Sequence, residues 1–428
     1  MEEIKNPLEQ SPKEASVELS IKNPAPNTNS KKKSPIEFLK SYIEKFKALP
    51  SGKKTLVLVI LIIVFLLISS GIAYAFIQLS ANRRFFRNDG NLIGKDGDSD
   101  KDSLDAPRPD DIKDQESPIN GVLYTRSEMD ELKTRYPLAI VVENHPDARP
   151  QSGLDKADVV YEFLAEGGIT RLLPIYWGEQ SKEIGPVRSA RKYMIDMLGE
   201  YEALFMHLGW AEGTGNTNTD SASYISSTGT RSFLWGGYYW RSSDKVAPHN
   251  VYTETTKLWE QAEGKGWTTE EYTTSSWKFK NDLGLDDRPL TSNVDVSFGS
   301  NGALYNVKWT YDRDSNSYKR SLAGGQSIDK VTGIQLEAKN VIVQEVVKTY
   351  PEPRDDKARI ILDIIGEGKV TIFNDGKSVE GTWKKTSRTS KTRFYDRDGE
   401  EIKLNRGKIW IEMIPVYNGR LEGSLSYN

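Results

Sequence analysis

Residues 138–191 read LAIVVENHPDARPQSGLDKADVVYEFLAEGGITRLLPIYWGEQSKEIGPVRSAR. Three apolar runs, Leu138–Val142, Val159–Leu164 and Leu172–Trp177, alternate with polar turns that are rich in glycine. This alternation is typical of strands in a partly buried sheet. The segment therefore predicts the sheet of a globular domain, with functional groups displayed on the turns between its strands.

Many side chains in and around this segment are able to bind a ligand or take part in catalysis. The candidate ligand-binding residues are Asn144, Arg149, Gln151, Glu162, Glu166, Thr170, Arg171, Arg188, Ser189, Arg191, His207, His249 and Asn250.

The arginines of this set require an explanation. The Gly-Pro dipeptide at 185–186 predicts the start of a helix, because proline suits a first helical turn. Arg188 and Arg191 would then lie in the first turns, where the positive end of the helix dipole disfavours a cation. Either carboxylates compensate them, with Glu162 and Glu166 as the candidates, or an anionic ligand does.

Arg149 and Arg171 bring to four the number of arginines in the turns of this one segment. A network of structural salt bridges is the alternative, and for any single arginine it is slightly favoured, because ion pairs also occur in ordinary folds. The number of arginines favours a site for phosphate or carboxylate groups.

Glu162 and Glu166 permit a second interpretation. They flank the end of a predicted strand, so a period of two places them on the same face. A pair of carboxylates can act as acid and base in glycoside hydrolysis when the separation is suitable. Neutralisation of the arginines requires no further assumption and is favoured over hydrolysis.

The chain has three histidines, His145, His207 and His249. Three imidazoles can bind zinc, and imidazole exchanges protons near neutral pH. Their irregular spacing and the absence of an HExxH pattern favour a chain without a metal site. His207, and His249 together with Asn250, are instead candidates for lining a ligand site.

Four motifs resemble those of the YerB-like family: RPQSGL (149–154), ADVVYE (157–162), EGGITR (166–171) and GPVRSAR (185–191). The resemblance covers about 121–415. It implies a bacterial envelope domain with an N-terminal and a C-terminal part and with no assigned function. Bacillus-type members resemble lipoproteins, whose anchor requires a lipobox cysteine, and this sequence contains no cysteine.

A different membrane attachment is predicted at 55–82, which contains no charged residue. A helix needs about 20 apolar residues to cross a bilayer, so this segment predicts one transmembrane helix that acts as an uncleaved signal anchor. Lysines cluster before it, and the chain becomes acidic after the arginines that follow it. The predicted topology is a single pass with a cytoplasmic N-terminus and the large domain outside the cell membrane.

The remaining organisation follows from composition and periodicity. A disordered cytoplasmic tail (1–34) and a basic juxtamembrane helix (35–54) precede the span, and an acidic linker (83–120) follows it. The predicted fold class is α+β, with a mixed α/β first lobe (121–270) and a mostly antiparallel β second lobe (285–415). Residues 416–428 are predicted to be a tail.

Four linker aspartates resemble one thrombospondin type 3 calcium loop: Asp98, Asp100, Asp102 and Asp105. Ser103 replaces the usual glycine and only one copy is present, so a solvated acidic spacer is favoured and no cofactor is predicted.

Composition excludes some functions. The chain has 58 basic and 61 acidic residues, which argues against a nucleic-acid binder, and it has no cysteine to act as a thiolate nucleophile. The predicted function is binding of an anionic envelope polymer or small anion by a membrane-anchored domain. The alternatives are a glycan hydrolase that uses Glu162 or Glu166, and a structural or sensor scaffold.

Overall fold

The computed structural model describes residues 112–212, 218–233, 237–299, 302–352, 354 and 357–428. The predicted tail, juxtamembrane helix, transmembrane helix and four linker aspartates lie outside these residues. Within the described part, no helix is both long and apolar enough to cross a membrane. The span at 55–82 therefore stays a prediction.

The described residues form a mixed structure in which strands predominate. Four helices are described: α1 (Arg126–Lys133), α2 (Lys192–Leu198), α3 (Ser221–Ser227) and α4 (Thr255–Gly264). The strands of the two larger sheets are, in chain order, β1 (Leu138–Ile140), β2 (Val142–Glu143), β3 (Val159–Leu164), β4 (Thr170–Tyr176), β5 (Leu204–Met206), β6 (Asn293–Ser297), β7 (Val307–Asp312), β8 (Ser317–Leu322), β9 (Gly325–Gln326), β10 (Glu337–Ala338), β11 (Asn340–Thr349), β12 (Ile361–Asp363), β13 (Gly366–Asn374), β14 (Lys377–Lys385), β15 (Arg393–Asp396), β16 (Ile409–Tyr417), β17 (Arg420–Leu421) and β18 (Ser424–Tyr427).

One large sheet runs through both predicted lobes. Its main order is β15-β14-β13-β11-β16-β3-β4-β1-β5, and β2, β12 and β17 pair at its margins. The join is the parallel pairing of β16 with β3, in which Glu412 lies opposite Glu162. Strand β16 also pairs in parallel with β11. Strands from 121–270 and from 285–415 are therefore continuous in one sheet, and the central pairings are parallel rather than antiparallel.

A second, six-stranded sheet contains the order β9-β8-β7-β6-β18, with β10 paired to β8. It contacts the large sheet at a pair of aromatic rings, Trp309 of β7 and Trp410 of β16, whose centroids are 5.3 Å apart. Both rings are fully buried. The prediction of a tail at 416–428 is wrong for most of its length, because β18 pairs with β6 and β17 pairs with β16.

The predicted strands of the opening segment are confirmed. Strands β3 and β4 are almost wholly buried, as their apolar runs predicted. Asp375 and Gly376 form the hairpin turn between β13 and β14: both residues have positive φ, 52° and 72°, which matches the mirror-image turn that suits the twist of paired strands.

The helix predicted from 185–186 begins later than expected, at Lys192. Residues before it are extended, because Val187 donates its backbone N–H to Val251 and Arg188 donates to Val141. Arg188 is therefore not in a helix, and Arg191 takes the N-cap position. The two arginines therefore lie before the first helical turn rather than within it, where the sequence placed them.

Candidate functional site

The candidate residues fall on two opposite faces of the same strands. Glu143 of β2 lies opposite Arg171 of β4, so both side chains point to one face. Glu162 of β3 lies opposite Leu172, the neighbour of Arg171, and therefore points to the other face. Two separate polar groups result. We call the first the arginine cluster (Glu143, Glu166, Arg171, Arg188, Arg191) and the second the buried network (Asn144, Glu162, Thr170, Arg320, Glu412).

Ion pairs connect the members of the arginine cluster. Arg191 forms two hydrogen bonds to Glu166, at 2.5 and 2.9 Å, and Arg171 lies 3.7 Å from the same carboxylate. Arg188 lies 3.0 Å from Glu143. Arg171 also donates to the backbone carbonyl of Ser189, at 3.3 Å. Three guanidinium groups thus share two carboxylates.

The surplus positive charge affects the ionisation of these groups. Burial and the neighbouring Arg191 lower the pKa of Arg171 to about 10, and Arg188 contributes in the same direction. Burial opposes ionisation of Glu166, but Arg191 and Arg171 outweigh it and lower the pKa of that carboxyl group. Arg171 and Glu166 are therefore both charged at neutral pH, and the neighbouring arginines repel Arg171.

An open groove of about 160 Å³ adjoins the cluster at Arg191. Lys192 and Arg359 add two more cations to its lining, and Asp196 and Asp363 add two carboxylates. Arg359 donates to the backbone carbonyl of Glu212, at 2.5 Å. The other residues of 360–365 are apolar, so the groove combines a charged rim of three cations and two carboxylates with a largely apolar wall.

The prediction that Glu162 compensates the arginines of the opening segment is wrong. Its cation is Arg320 of β8, at 2.5 Å, which approaches from the second sheet. The prediction that Glu162 and Glu166 lie on the same face is also wrong. Strand β3 ends at Leu164, and a turn with Gly167 at φ 69° carries Glu166 to the cluster face.

The buried network is closed on all sides. Asn144 donates to Glu162 at 3.1 Å and to Thr170 at 2.7 Å, and Thr170 donates to Glu162 at 2.8 Å. Glu162, Asn144 and Thr170 are completely buried. Two further candidates hold Asn144 from outside: Gln151 donates to its side-chain oxygen at 2.7 Å, and Arg149 donates to its backbone carbonyl at 2.9 Å.

Glu412 places a second carboxyl group beside Glu162. It is completely buried and accepts a hydrogen bond from the indole N–H of Trp309, at 2.9 Å. Burial and the nearby charge of Glu162 raise the pKa of Glu412 far above its ordinary value. Glu412 is therefore protonated at neutral pH, so Glu162 and Arg320 form the charged pair of the network.

Four other candidates lie at the margins of these groups. Ser189 donates its hydroxyl to the backbone carbonyl of Leu208, at 2.9 Å. His249 contacts Glu143 at 2.9 Å and so joins the edge of the arginine cluster. Asn250 accepts from Arg241 at 2.7 Å. The ring nitrogens of His207 contact the backbone carbonyl of Gly209 and the hydroxyl of Ser232, and burial lowers the pKa of His207 to about 4.

Sequence reasoning missed the partners of the candidate residues, namely Glu143, Arg320 and Glu412. Two of them carried a local signal. Glu143 in VVENHP and Glu412 in IWIEMI each follow apolar residues on a strand, as Glu162 does in VVYEFL. A carboxylate within such a run is seldom buried unless it is paired or hydrogen-bonded. Arg320 carried no such signal, because polar residues flank it on both sides in SYKRSL (317–322).

Comparison with known proteins identifies the family. Residues 124–268 match the "Protein of unknown function (DUF3048) N-terminal domain", and residues 294–411 match its C-terminal domain. The chain belongs to this YerB-like family.

A sequence match and a structural match, both to YerB of Bacillus subtilis, support this assignment. "Putative lipoprotein YerB" of strain 168 is 33% identical over 311 residues, which cover 72% of this chain and 88% of the relative. The crystal structure of YerB protein from Bacillus subtilis is similar with a TM-score of 0.61 and 30% identity. The structural match covers 73% of the present chain and 99% of the chain in the YerB crystal structure.

The YerB-like geometry weighs against hydrolysis by the two candidate glutamates. Glu162 is sealed beneath the second sheet and paired with Arg320, whereas Glu166 is paired with Arg191 and Arg171. A glycosidase needs a protonated acid and a second carboxylate that face the same substrate. These two carboxyl groups lie in separate networks, and both are held by arginine.

Proposed function

We propose that this chain is a membrane-anchored, extracytoplasmic member of the YerB-like family that binds an anionic envelope ligand at the arginine cluster. The observation that carries the proposal is the charge imbalance of the cluster, in which three guanidinium groups face two carboxylates. A phosphate or carboxylate group would complete it, because guanidinium binds both with paired hydrogen bonds.

Arg171 is the residue on which the proposal depends most. Arg191 already holds Glu166 with two hydrogen bonds, and Arg188 already holds Glu143. Arg171 is 3.7 Å from Glu166 and therefore interacts with that carboxylate more weakly than Arg191 does. An incoming anion would therefore relieve the repulsion between Arg171 and its two neighbouring arginines.

The groove beside Arg191 gives the ligand a place to extend. Lys192 and Arg359 supply positive charge along it beside the carboxylates of Asp196 and Asp363, and the wall at 360–365 is otherwise apolar. A ligand that carries one or more anionic groups on a partly apolar body fits this lining. Polymers of the bacterial envelope and small phosphorylated or carboxylated molecules both meet that description.

The predicted location agrees with this ligand class. The similar Bacillus subtilis protein carries a lipoprotein name. The sequence of this chain contains no cysteine to receive a lipid, and it has the uncharged segment at 55–82 instead. We infer that this segment anchors the chain in the cell membrane as a single pass, with the binding domain outside.

The test uses the full-length chain in a mild detergent and titration calorimetry with inorganic phosphate, tripolyphosphate and citrate. We expect at least one of these anions to bind, and we expect Arg171→Gln to weaken that binding at least tenfold. The melting temperature of Arg171→Gln should stay close to that of the parent, because the change removes a repelling cation. Lys384→Gln, an exposed change far along the sheet on β14, serves as the control and should bind normally.

Two outcomes would overturn the proposal. The first is no binding of any of the three anions to the parent chain. The second is binding that survives in Arg171→Gln with undiminished affinity. Either result would leave the structural or sensor scaffold as the better interpretation of this fold.

A further inference from the structure

A group of metal-binding side chains lies at the end of strand β2, beyond the arginine cluster. His145 and Asp147 lie in the turn that follows β2, and His249 lies in a loop about a hundred residues later in the chain. The fold stacks the two imidazole rings, with centroids 4.8 Å apart and an interplanar angle of 19°. One ligand atom from each of the three residues lies within 4.8 Å of the others.

We propose that His145, Asp147 and His249 form a binding site for a divalent transition-metal ion such as Zn²⁺. Two histidines and one carboxylate are a recurrent ligand set for such ions, and they leave further positions open for water or another ligand. The three ligands are distinct from the arginines of the proposed anion site, and the two sites adjoin at Glu143, which contacts both His249 and Arg188.

The tautomer of His249 suits this role. Its Nδ1 lies 2.9 Å from the Glu143 carboxylate, which holds the Nδ1–H and leaves the Nε2 lone pair available. A carboxylate behind a histidine in this manner orients the ring and makes its other nitrogen a better ligand. Glu143 is itself almost fully buried and is fixed by Arg188, so the orientation of His249 is well supported.

The second and third ligands lie at a suitable separation. The Nδ1 atom of His145 is 3.5 Å from a carboxylate oxygen of Asp147. Two ligands on a tetrahedral zinc ion, with bonds of about 2.0–2.1 Å, are about 3.3 Å apart. The backbone N–H of Asp147, which now donates to this Nδ1 at 3.2 Å, would give way to the ion.

Solvent can reach the group. The exposed fractions of the side chains are 33% for His145, 72% for Asp147 and 17% for His249. Lys245 lies close to Asp147, but its ammonium group is held by the backbone carbonyl oxygens of Asp147 and Arg149, at 3.0 and 2.9 Å. The carboxylate of Asp147 is therefore not taken up by that lysine.

The third histidine does not belong to the site. His207 has contacts at both ring nitrogens, to Gly209 and to Ser232, and it is buried. The three imidazoles, whose spacing argued against a zinc site, do not come together; two of them lie beside the carboxylate of Asp147 instead.

The experiment uses the full-length chain in a mild detergent, free of any polyhistidine tag and stripped of metal with a chelator. Titration with zinc chloride, followed by calorimetry, should show one ion bound per chain. Calcium and magnesium at a hundredfold excess should not displace it, because they prefer oxygen ligands. Affinity should fall as the pH drops below about 6.5, where protons compete for imidazole.

Variants locate the site. His145→Gln and His249→Gln should each weaken zinc binding at least tenfold, and Asp147→Asn should weaken it by a smaller factor. Asp130→Asn, an exposed carboxylate on helix α1, is the matched control and should bind zinc as the parent does. Binding that persists in a His145→Gln/His249→Gln double variant, or no binding to the parent chain, would overturn the proposal.

A second measurement does not depend on the variants. Diethyl pyrocarbonate modifies accessible imidazoles, and mass spectrometry of peptides identifies which of them react. Zinc should protect His145 and His249 of the parent chain from modification. Equal modification of both residues with and without zinc would contradict the site even if some variants failed to fold.

Discussion

The buried network and the arginine cluster lie on opposite faces of the same strands, yet they meet opposite requirements. In the network, Glu162 and Arg320 balance each other, and the neighbouring Glu412 is neutralised by its raised pKa. In the cluster, three arginines face two glutamates near the solvent. A covered site must balance its charge, because desolvated charge is costly, whereas a site open to solvent or ligand can keep a surplus.

The same comparison indicates a structural role for the buried network and a binding role for the arginine cluster. The second sheet seals the network through Trp309 and Arg320, so the network fixes how the two sheets pack. The cluster adjoins an open groove, so its surplus charge is within reach of a ligand. We therefore expect substitutions in the network to act mainly on stability and substitutions of Arg171 to act mainly on binding.

The largest expected effect is that of Arg320→Met. The change leaves Glu162 completely buried without its cation, and stranding a buried charge costs about 3–5 kcal/mol. Urea unfolding of the parent and the variant at neutral pH measures the loss. A double variant, Arg320→Met with Glu162→Gln, should recover much of it because no charge then remains. A loss below about 1 kcal/mol would mean that Glu162 is not held mainly by Arg320.

Local pattern was sufficient to predict the strands but not their partners. The apolar runs of β3 and β4 are visible over six or seven residues, and both strands form. Arg320 and Glu162 are 158 positions apart, and they meet because the second sheet packs on the large sheet, which the parallel pairing of β16 with β3 holds together. No periodicity within either segment encodes that pairing. The division into two lobes therefore missed the continuous sheet.

The errors within the opening segment have a common cause. Proline at position 186 is compatible with a first helical turn, but backbone hydrogen bonds to Val251 and Val141 hold the residues after it in extended form. In the same way, a period of two was extended past the end of β3 to Glu166, where Gly167 reverses the chain. Tertiary contacts overrode local preference in the first case, and an unrecognised turn did so in the second.

The next prediction concerns the neutral carboxyl group that balances the network. Glu412 holds its proton more tightly in the folded than in the unfolded chain, since its pKa is raised well above the ordinary value of about 4.3. The contribution of Glu412 to the free energy of unfolding is therefore complete below about pH 4.3. It declines by about 1.4 kcal/mol per pH unit as the pH rises toward the pKa of Glu412 in the folded chain.

Glu412→Gln removes this titrating carboxyl group and should flatten the dependence of the unfolding free energy on pH between pH 5 and pH 7. Urea unfolding at three pH values within that range measures it. Other titrating groups cancel when the variant is compared with the parent chain. Parallel curves for the two proteins would show that Glu412 is ionised in the folded state and that the network is not balanced as described.

The smallest effect is expected in the cluster itself, for Arg191→Gln. Glu166 loses two hydrogen bonds, but Arg171 is only 3.7 Å away and can move to replace them. The cost should therefore be near the lower end for a charge-assisted hydrogen bond, about 1.5 kcal/mol.

The matched control is Lys384→Gln, because Lys384 and Glu367 form an exposed pair at 3.2 Å across β13 and β14, and such pairs contribute about 0–1 kcal/mol. Thermal and urea unfolding of both variants measure these costs. We expect the loss of stability in Arg191→Gln to be larger than that in Lys384→Gln and smaller than that in Arg320→Met. If Arg191→Gln costs as much as Arg320→Met, Arg171 does not replace the lost guanidinium. The cluster would then be a second rigid structural network, and the arginine charge that we propose binds a ligand would instead be needed to stabilise the fold.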